Sequence, residues 1–163
     1  MITIHPTTHD EVSTLIAIQK AAFFPIYERY HDAGNPYLRG EEDILKSLDH
    51  PYWRYFTICL DGEIVGGITY KLAGRTDFFD PIPEGMIYLG RLYIDPRHQC
   101  RGIGQAAIAL AEREFPDAKM AAVDYPSELM KNRRCYEKAE YRDTGRQFDP
   151  EPGLTLVCMT KEM

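Results

Sequence analysis

The stretch from Met86 to Phe115 joins an apolar segment, a basic loop and a glycine pair that opens a second apolar segment. The pattern predicts a strand over 86–94, a turn at Asp95-Pro96 and then a helix. Backbone N–H groups at the start of a helix point toward the preceding loop, and the helix dipole adds partial positive charge there. Gly102 and Gly104 have no side chain to block a bulky anion. The sequence therefore predicts a phosphate-binding loop, to which the basic residues of the loop contribute.

Two familiar phosphate-binding motifs fit this loop poorly. A Walker A loop needs Lys and then Ser or Thr after its last glycine, and Gln105-Ala106 stand there instead. The run 102–107 does read G-x-G-x-x-A, as in dinucleotide-binding folds, and Asp124 lies about where the ribose-binding acid of those folds would be. In those folds, however, the strand leads almost directly into the first glycine, whereas a polar loop, DPRHQCR, intervenes here. A nucleotide-binding oxidoreductase is therefore a remote alternative.

A third interpretation accounts for both flanks of the loop. The run from Gln99 to Gly104, QCRGIG, resembles the Q/R-x-x-G-x-G/A motif of the GNAT superfamily of N-acetyltransferases, and the preceding LGRLYIDP resembles that family's fourth strand. A second run, from Asn132 to Tyr141, is similar to the family's N-x-x-x-Y-E-K-x-G-F/Y signature in its last helix, with Glu140 in place of the glycine. The two motifs occur in the family's order and spacing, and the resemblance covers residues 55–141.

The resemblance implies an α/β fold in which a mixed, mostly antiparallel sheet of six to seven strands is flanked by about four helices. The hydrophobic pattern agrees, since it predicts an antiparallel meander, one parallel crossover and a terminal hairpin. A length of 163 residues fits a single domain over 1–163.

The hydrophobic pattern predicts helices over 103–115 and 127–138, and local signals refine the prediction at four further points. A T-x-x-E capping box at Thr8 predicts the start of the first helix. Pro25 should kink or end that helix near Phe24 and open a second short helix. Asp61-Gly62 predicts a two-residue hairpin turn, and Gly90, in the middle of the strand before the loop, predicts a bulge.

Composition excludes several classes of partner. The net charge of −6 and a pI near 5.4 argue against nucleic acid as a partner. No apolar run reaches the roughly 20 residues that span a bilayer, and no signal segment opens the chain, so we expect a cytoplasmic protein without a membrane partner. Four cysteines without C-x-x-C spacing predict neither a zinc site nor a disulfide framework, and no metal is expected.

The GNAT resemblance further implies that acetyl-CoA is the acetyl donor and that a small amine-bearing molecule is the substrate; homodimers are common in that family. In the family, a bulged strand contacts the pantetheine arm and the glycine loop holds the pyrophosphate. Carried over to this chain, with Arg97 as a further phosphate ligand and Asn132 on the pantetheine, the cofactor-binding residues are Leu92, Tyr93, Ile94, Gln99, Cys100, Arg101, Gly102, Ile103, Gly104, Gln105 and Asn132.

Tyr136 matches the tyrosine that lies beside the cofactor sulfur in the family, which implies a general acid. A phenol stays protonated at neutral pH yet can donate to a thiolate. Several family members use a glutamate on the fourth strand as base, and Tyr88 stands at about that position here. Asp124, at the end of the next strand, is the candidate base, although a loop or capping aspartate would look the same. An ordered water is the alternative base.

Three functions remain open at this point. The first is an acetyl-CoA-dependent N-acetyltransferase acting on a small amine. The second is the same chemistry on a protein or peptide amine, and the third is a non-catalytic acyl-CoA-binding module. Acidic and aromatic side chains in the loop 74–85 and around Tyr27, Tyr30 and Tyr37 would suit an ammonium-bearing substrate.

Overall fold

The computed structural model describes residues 1–163 and contains one sheet of seven strands in the order β1-β2-β3-β4-β5-β7-β6. The strands are β1 (Ile2–Pro6), β2 (Trp53–Leu60), β3 (Glu63–Lys71), β4 (Met86–Ile94), β5 (Met120–Pro126), β6 (Arg142–Glu151) and β7 (Leu154–Glu162). The helices are α1 (Val12–Tyr30), α2 (Glu41–Asp49), α3 (Ile103–Glu112) and α4 (Met130–Lys138). Only β4 and β5 pair in parallel. The predicted fold class is therefore confirmed in strand number, strand direction and helix number.

The sheet separates two apolar layers. On one side, α3 packs on the sheet through Ile103, Ala107 and Ile108, against Val123 of β5 among others. On the other side, α1 and α2 cover β2 to β4 with a second cluster that includes Leu15, Ile44, Tyr55 and Tyr93. Alternate residues of a strand point to opposite faces, so each side chain of β4 and β5 belongs to one layer or the other. The strand register therefore decides on which side of the sheet each site residue lies.

The prediction that Pro25 would end the first helix is wrong. Helix α1 runs without interruption from Val12 to Tyr30 with Pro25 inside it. A proline removes one helical hydrogen bond, to the residue four positions earlier. That residue, Ala21, is exposed together with Pro25, so its carbonyl faces water. The second half of the helix is held by tertiary contacts, since the rings of Tyr27 and Tyr37 stack with centroids 5.2 Å apart.

The predicted turn and bulge are both present. Asp61 and Gly62 connect β2 to β3 with positive φ angles of 51° and 85°, as a tight two-residue turn requires. In the pairing of β3 with β4, Thr69 lies opposite Arg91 and Tyr70 opposite Leu89, so Gly90 is the extra residue of a bulge.

Two helix limits differ from the predicted ones. Helix α3 ends at Glu112 rather than at Phe115, because the chain tightens into turns there, with Glu114 donating to the Ala111 carbonyl. Helix α4 begins at Met130 rather than at Ser127, because the chain first makes a turn in which the Leu129 N–H donates to the Pro126 carbonyl, and Leu129 itself has a non-helical ψ of 80°. No helix combines the length and apolar character that crossing a membrane requires.

Candidate active site

The strands β4 and β5 diverge part of the way along the sheet. Their parallel pairing runs from Met86–Met120 to Leu89–Val123 and stops there, one residue before the Gly90 bulge. Beyond that point β5 pairs only with β7, through Asp124, Tyr125 and Pro126. The second half of β4 therefore has a neighbour on its β3 side only, and a cleft opens between the two central strands.

The backbone of β4 offers polar groups to this cleft. Asp95 donates its N–H to the Val65 carbonyl of β3 at 2.7 Å. Backbone groups alternate in direction along a strand, so those of Tyr93 also point toward β3, whereas those of Leu92 and Ile94 point toward the cleft. Of the three residues predicted to contact the pantetheine arm, only Leu92 and Ile94 therefore have backbone groups that point toward the cleft. Tyr93 instead packs beneath α1, with its hydroxyl bonded to that of Tyr55.

The glycine loop delivers backbone N–H groups to the same end of the cleft. The first helical bond of α3 joins the Ala106 N–H to the Gly102 carbonyl at 3.1 Å. The N–H groups of Ile103, Gly104 and Gln105 therefore have no acceptor within the helix. Gly102 has a left-handed φ of 76°, and no atom lies within 4 Å of where its Cβ would be. Such a cradle fits a pyrophosphate, the ligand that the sequence analysis expects for this loop.

Two further observations support an anion at this position. The Nδ1 atom of His98 is buried and has no hydrogen-bond partner. Arg101 is exposed and forms no ion pair with the protein, so its charge is free. Cys100 precedes it with a left-handed φ of 64° and an exposed side chain, as expected for a residue that bends the loop. The residues present therefore fit the phosphates of coenzyme A.

Three side chains predicted to bind the phosphates are bonded within the protein instead. Arg97 pairs with Asp95 at 2.8 Å and holds the pKa of that carboxyl below its usual value. Gln99 donates to the Ile94 carbonyl at 2.9 Å and so ties the loop to the end of β4. Gln105 donates to the Lys138 carbonyl at 3.3 Å, at the end of α4.

Tyr136 lies on α4, close to the cradle. A Cβ on Gly104 would be 3.4 Å from Cys135 Sγ and 3.5 Å from the Leu92 side chain, so α3, α4 and β4 meet at this point. The Tyr136 ring is buried and packs against Tyr125 with ring centroids 5.7 Å apart. Burial raises the pKa of Tyr136 well above that of a free phenol, and the nearby Cys135 and Asp124 raise it further. Asn132 is half-buried one turn earlier on the same helix, as predicted.

Asp124 lies at the mouth of the cleft, on the sheet face opposite α3 and α4. Its neighbour Val123 belongs to the layer under α3, so the Asp124 side chain points to the other face. There the Tyr88 hydroxyl donates to Asp124 Oδ2. Burial raises the pKa of Asp124 to about 6; the Tyr88 hydrogen bond opposes this rise and the nearby Asp77 carboxylate adds to it. Burial, with the adjacent Asp124, also raises the pKa of Tyr88.

The loop between β3 and β4 closes over this pair. Phe79 makes an edge contact with Tyr88, with ring centroids 6.0 Å apart. Arg146 of β6 donates to the Phe78 carbonyl, and its guanidinium lies 5.0 Å from the centroid of the Phe79 ring. This loop therefore forms one wall of the cleft mouth, and the exposed Asp77 carries a negative charge on it.

Sequence reasoning identified Asp124 and noted Tyr88, but it did not join them. The parallel register places Tyr88 beside Ala122 of β5, which is on the same face as Asp124. The predicted parallel crossover brings β4 and β5 together, but the register that puts Tyr88 next to Asp124 does not follow from sequence spacing. The ion pair between Arg91 and Asp43, at 2.7 Å, was missed entirely. Its only sequence signal is an arginine inside an otherwise apolar strand.

A family model described as the acetyltransferase (GNAT) family matches residues 15–141. No curated protein sequence matches the chain. Among solved structures, the chain is similar to the PaiA N-acetyltransferase from Thermoplasma acidophilum in complex with coenzyme A, with 16% identity and a TM-score of 0.71, covering 100% of this chain and 99% of that one.

Two other similar structures have different acceptors in their names. The ribosomal-protein-S18-alanine N-acetyltransferase from Escherichia coli is 13% identical with a TM-score of 0.72, covering 99% of this chain and 94% of that one. The aminoglycoside acetyltransferase AAC(6')-Ib, in complex with coenzyme A and kanamycin, is 16% identical with a TM-score of 0.75, covering 99% of this chain and 95% of that one. At these identities the likeness establishes the fold, whose topology also excludes the dinucleotide-binding alternative, because that fold has a mostly parallel sheet.

Proposed function

Because this chain belongs to the acetyltransferase (GNAT) family and is an acetyl-CoA-dependent N-acetyltransferase, we propose that its acceptor is the primary amine of a small, positively charged molecule. Acetyl-CoA supplies the acetyl group as an activated thioester. The residues of this chain bind the donor, hold the acceptor beside it and move two protons, one from the amine and one to the departing thiolate.

The donor site proposed here consists mainly of backbone groups. The N–H groups of Ile103, Gly104 and Gln105 would hold the phosphates together with Arg101, and the β4 backbone at Leu92 and Ile94 would hold the pantetheine. Asn132 can add a hydrogen bond from α4. A backbone site of this kind gives binding energy far from the reacting bond, which an enzyme can use for positioning.

Tyr136 is the proposed general acid. Burial keeps its hydroxyl protonated across the physiological pH range. A protonated phenol can give its proton to a thiolate as negative charge develops on the sulfur. Its location next to Cys135, where α4 meets Gly104 of the cradle, supports a role on the donor side of the cleft.

Asp124 is the proposed base. With a pKa of about 6 it is ionised at neutral pH, yet it is a stronger base than an ordinary surface aspartate. The Tyr88 hydroxyl binds Oδ2 and so fixes the orientation of the carboxylate. Asp124 also contributes to the raised pKa of Tyr136, so the proposed acid and base interact electrostatically across the cleft.

The observation that carries the proposal of a cationic acceptor is the buried Asp124 carboxylate, oriented by the Tyr88 hydroxyl, at a cleft mouth whose loop bears the exposed Asp77. Burial and, to a smaller extent, repulsion by the Asp77 carboxylate raise the pKa of Asp124. A bound ammonium group would relieve that repulsion, and Asp124 could then take its proton before the neutral amine attacks. The face is formed by side chains from β4, β5 and one loop, which suits a small ligand.

The test begins with calorimetric titration of acetyl-CoA, with NAD as the control ligand, and continues with a panel of amines in an assay for released thiol. We expect binding of acetyl-CoA, no binding of NAD, and thiol release with small primary amines but not with their N-acetylated counterparts. Turnover of a peptide N-terminus in preference to every small amine would overturn the proposed acceptor. Binding of acetyl-CoA without turnover of any amine would overturn the catalytic proposal.

A further inference from the structure

We propose that the acceptor carries a carboxylate as well as an amine, and that Arg91 binds that carboxylate. This inference rests on the proposed function, because it assigns the second charged group of the same acceptor. The class of substrate is thus an amino acid or a similar zwitterion, held with its amine toward Asp124 and its carboxylate toward Arg91.

Arg91 is a mostly buried cation whose hydrogen bonds all leave from one nitrogen. Its Nη1 donates to Asp43 Oδ2 of α2 at 2.7 Å and to Gln19 Oε1 of α1 at 3.3 Å. A guanidinium has five N–H donors, so the edge formed by Nε and Nη2 has no protein partner. The side chain is only 14% exposed. Such a fixed, free edge is the geometry that binds a carboxylate through two parallel hydrogen bonds.

Arg91 lies on the same side of the sheet as the proposed base. Its contacts with α1 and α2 place it on the face opposite α3, where Tyr88 and Asp124 also lie. Arg91 comes three residues after Tyr88 in the sequence. Gly90, the extra residue of the bulge, lies between Leu89 and Arg91. Without the bulge, the alternation of the strand would put a side chain three positions after Tyr88 on the other face.

A second polar group next to Arg91 also has no partner. Thr69 lies directly opposite Arg91 in the pairing of β3 with β4, and its hydroxyl is buried without a hydrogen bond. That hydroxyl lies 3.0 Å from where a Cβ on Gly90 would be, so it borders the bulge. A buried hydroxyl without a partner is uncommon in a protein, and an acceptor group bound beside Arg91 would give it one.

The surrounding charges favour an anion here and a cation at Asp124. Arg91 presents its unpartnered guanidinium edge on this face, whereas Asp124 and Asp77 carry negative charge at the cleft mouth. The acceptor face is thus divided into a positive and a negative part, which matches a zwitterion.

The test compares matched acceptors in the thiol-release assay. Each amino acid of a panel of α-, β- and ω-amino acids is assayed beside its primary amide and beside the amine that lacks the carboxyl group. We expect at least one amino acid to have a kcat/KM about 10 to 10² times that of its amide, through a lower KM, because the amide cannot form the charge-assisted pair with Arg91. Equal or better turnover of the amides and simple amines throughout the panel would overturn this inference while leaving the proposed function intact. Failure of every acceptor would contradict the proposed function itself.

Substitutions at Arg91 then separate substrate binding from a structural role. Arg91→Lys keeps the charge next to Asp43 but lacks the two-pronged edge, and Arg91→Gln lacks both. We expect Arg91→Lys to remove the preference for the amino acid over its amide while acetyl-CoA affinity and Tm stay near wild type. Arg113→Gln, at an exposed position directly after α3, is the matched control and should retain the preference. If Arg91→Lys kept the preference, Arg91 would serve only to hold α2 and the inference would fail.

Discussion

The two sides of the sheet present two different kinds of site. On the α3 side, the phosphate cradle comes from consecutive residues, Gly102 to Gln105, and acts mainly through backbone N–H groups. On the other side, the acceptor face is assembled from residues far apart in the chain, including Asp124, Tyr88, Arg91 and Asp77, and acts through side-chain charges. In the proposed function, the cradle would hold the acetyl-CoA donor and the other face would bind the acceptor amine. A local backbone motif can be read from sequence, and a dispersed set of charges cannot.

The largest expected effect comes from blocking the cradle. Gly104→Glu should abolish acetyl-CoA binding, because the substitution adds bulk and negative charge where phosphate would lie. The fold should survive, since a Cβ at Gly104 meets its neighbours at ordinary contact distances of 3.4 and 3.5 Å. Calorimetry with acetyl-CoA measures the loss, which we expect to exceed about 100-fold in Kd.

Two control variants make that test specific. Gly104→Ala adds the Cβ alone and should fold and bind with little change. Gly34→Glu adds the same acidic side chain at a position with no atom within 4 Å of its Cβ and should bind acetyl-CoA normally. Undiminished affinity in Gly104→Glu would remove the glycine loop from the donor site.

The next effect should fall on turnover and leave donor binding intact. Tyr136→Phe removes only the hydroxyl, and the buried ring can keep its packing against Tyr125 and Tyr141. We expect kcat to fall about 100-fold or more, the usual contribution of a general acid, with acetyl-CoA affinity within about twofold of wild type. Stopped-time thiol release and calorimetry measure the two quantities. A kcat equal to wild type would show that another group or a water supplies the proton.

The cradle could be predicted from the sequence, whereas the contacts on the opposite face of the sheet could not. The order of residues from Met86 to Gly104 was sufficient to predict a glycine loop at the start of a helix and a bulge at Gly90, because each depends on neighbouring residues. The continuous helix through Pro25 was missed because contacts with Tyr37, outside the helix, outweigh a local signal. Pairings such as Tyr88 with Asp124 and Arg91 with Asp43 depend on strand register and helix placement. Sequence spacing alone contains neither.

On the acceptor side, the pH dependence of kcat/KM reports the ionisation of Asp124. The wild type should lose activity as pH falls through about 6, because the carboxylate becomes protonated and no longer accepts a proton. Asp124→Asn should lower kcat/KM about 10- to 100-fold at pH 7.5 and abolish that acidic limb. Tyr88→Phe is the matched variant: it removes the hydrogen bond that lowers the Asp124 pKa, so its acidic limb should shift to higher pH. An unchanged acidic limb in Asp124→Asn would assign the titration to another group.

The smallest expected effect is on stability: Asp124→Asn should lower activity but raise the free energy of unfolding at neutral pH. The pKa of Asp124 is about 6 in the folded protein, against 3.8 in the unfolded chain. The folded state therefore binds a proton more readily, and the ionised carboxylate reduces the free energy of unfolding by at most about 3 kcal/mol at neutral pH. Asp124→Asn keeps a carbonyl that can accept from Tyr88 but carries no charge, so its Tm at pH 7.5 should exceed that of wild type by several degrees.

That difference in Tm should itself depend on pH. Between pH 6 and 4 the wild-type carboxyl becomes protonated in the folded state, and the penalty for its charge disappears. Thermal unfolding of both proteins across this range should therefore show the two Tm values converging as pH falls. A gap that stayed constant would mean that the stabilisation has another cause. If the difference in Tm disappears over the same pH range in which activity is lost, the buried Asp124 carboxylate would both act as the base and destabilise the fold. The cradle has no such buried charge, because it acts through backbone N–H groups.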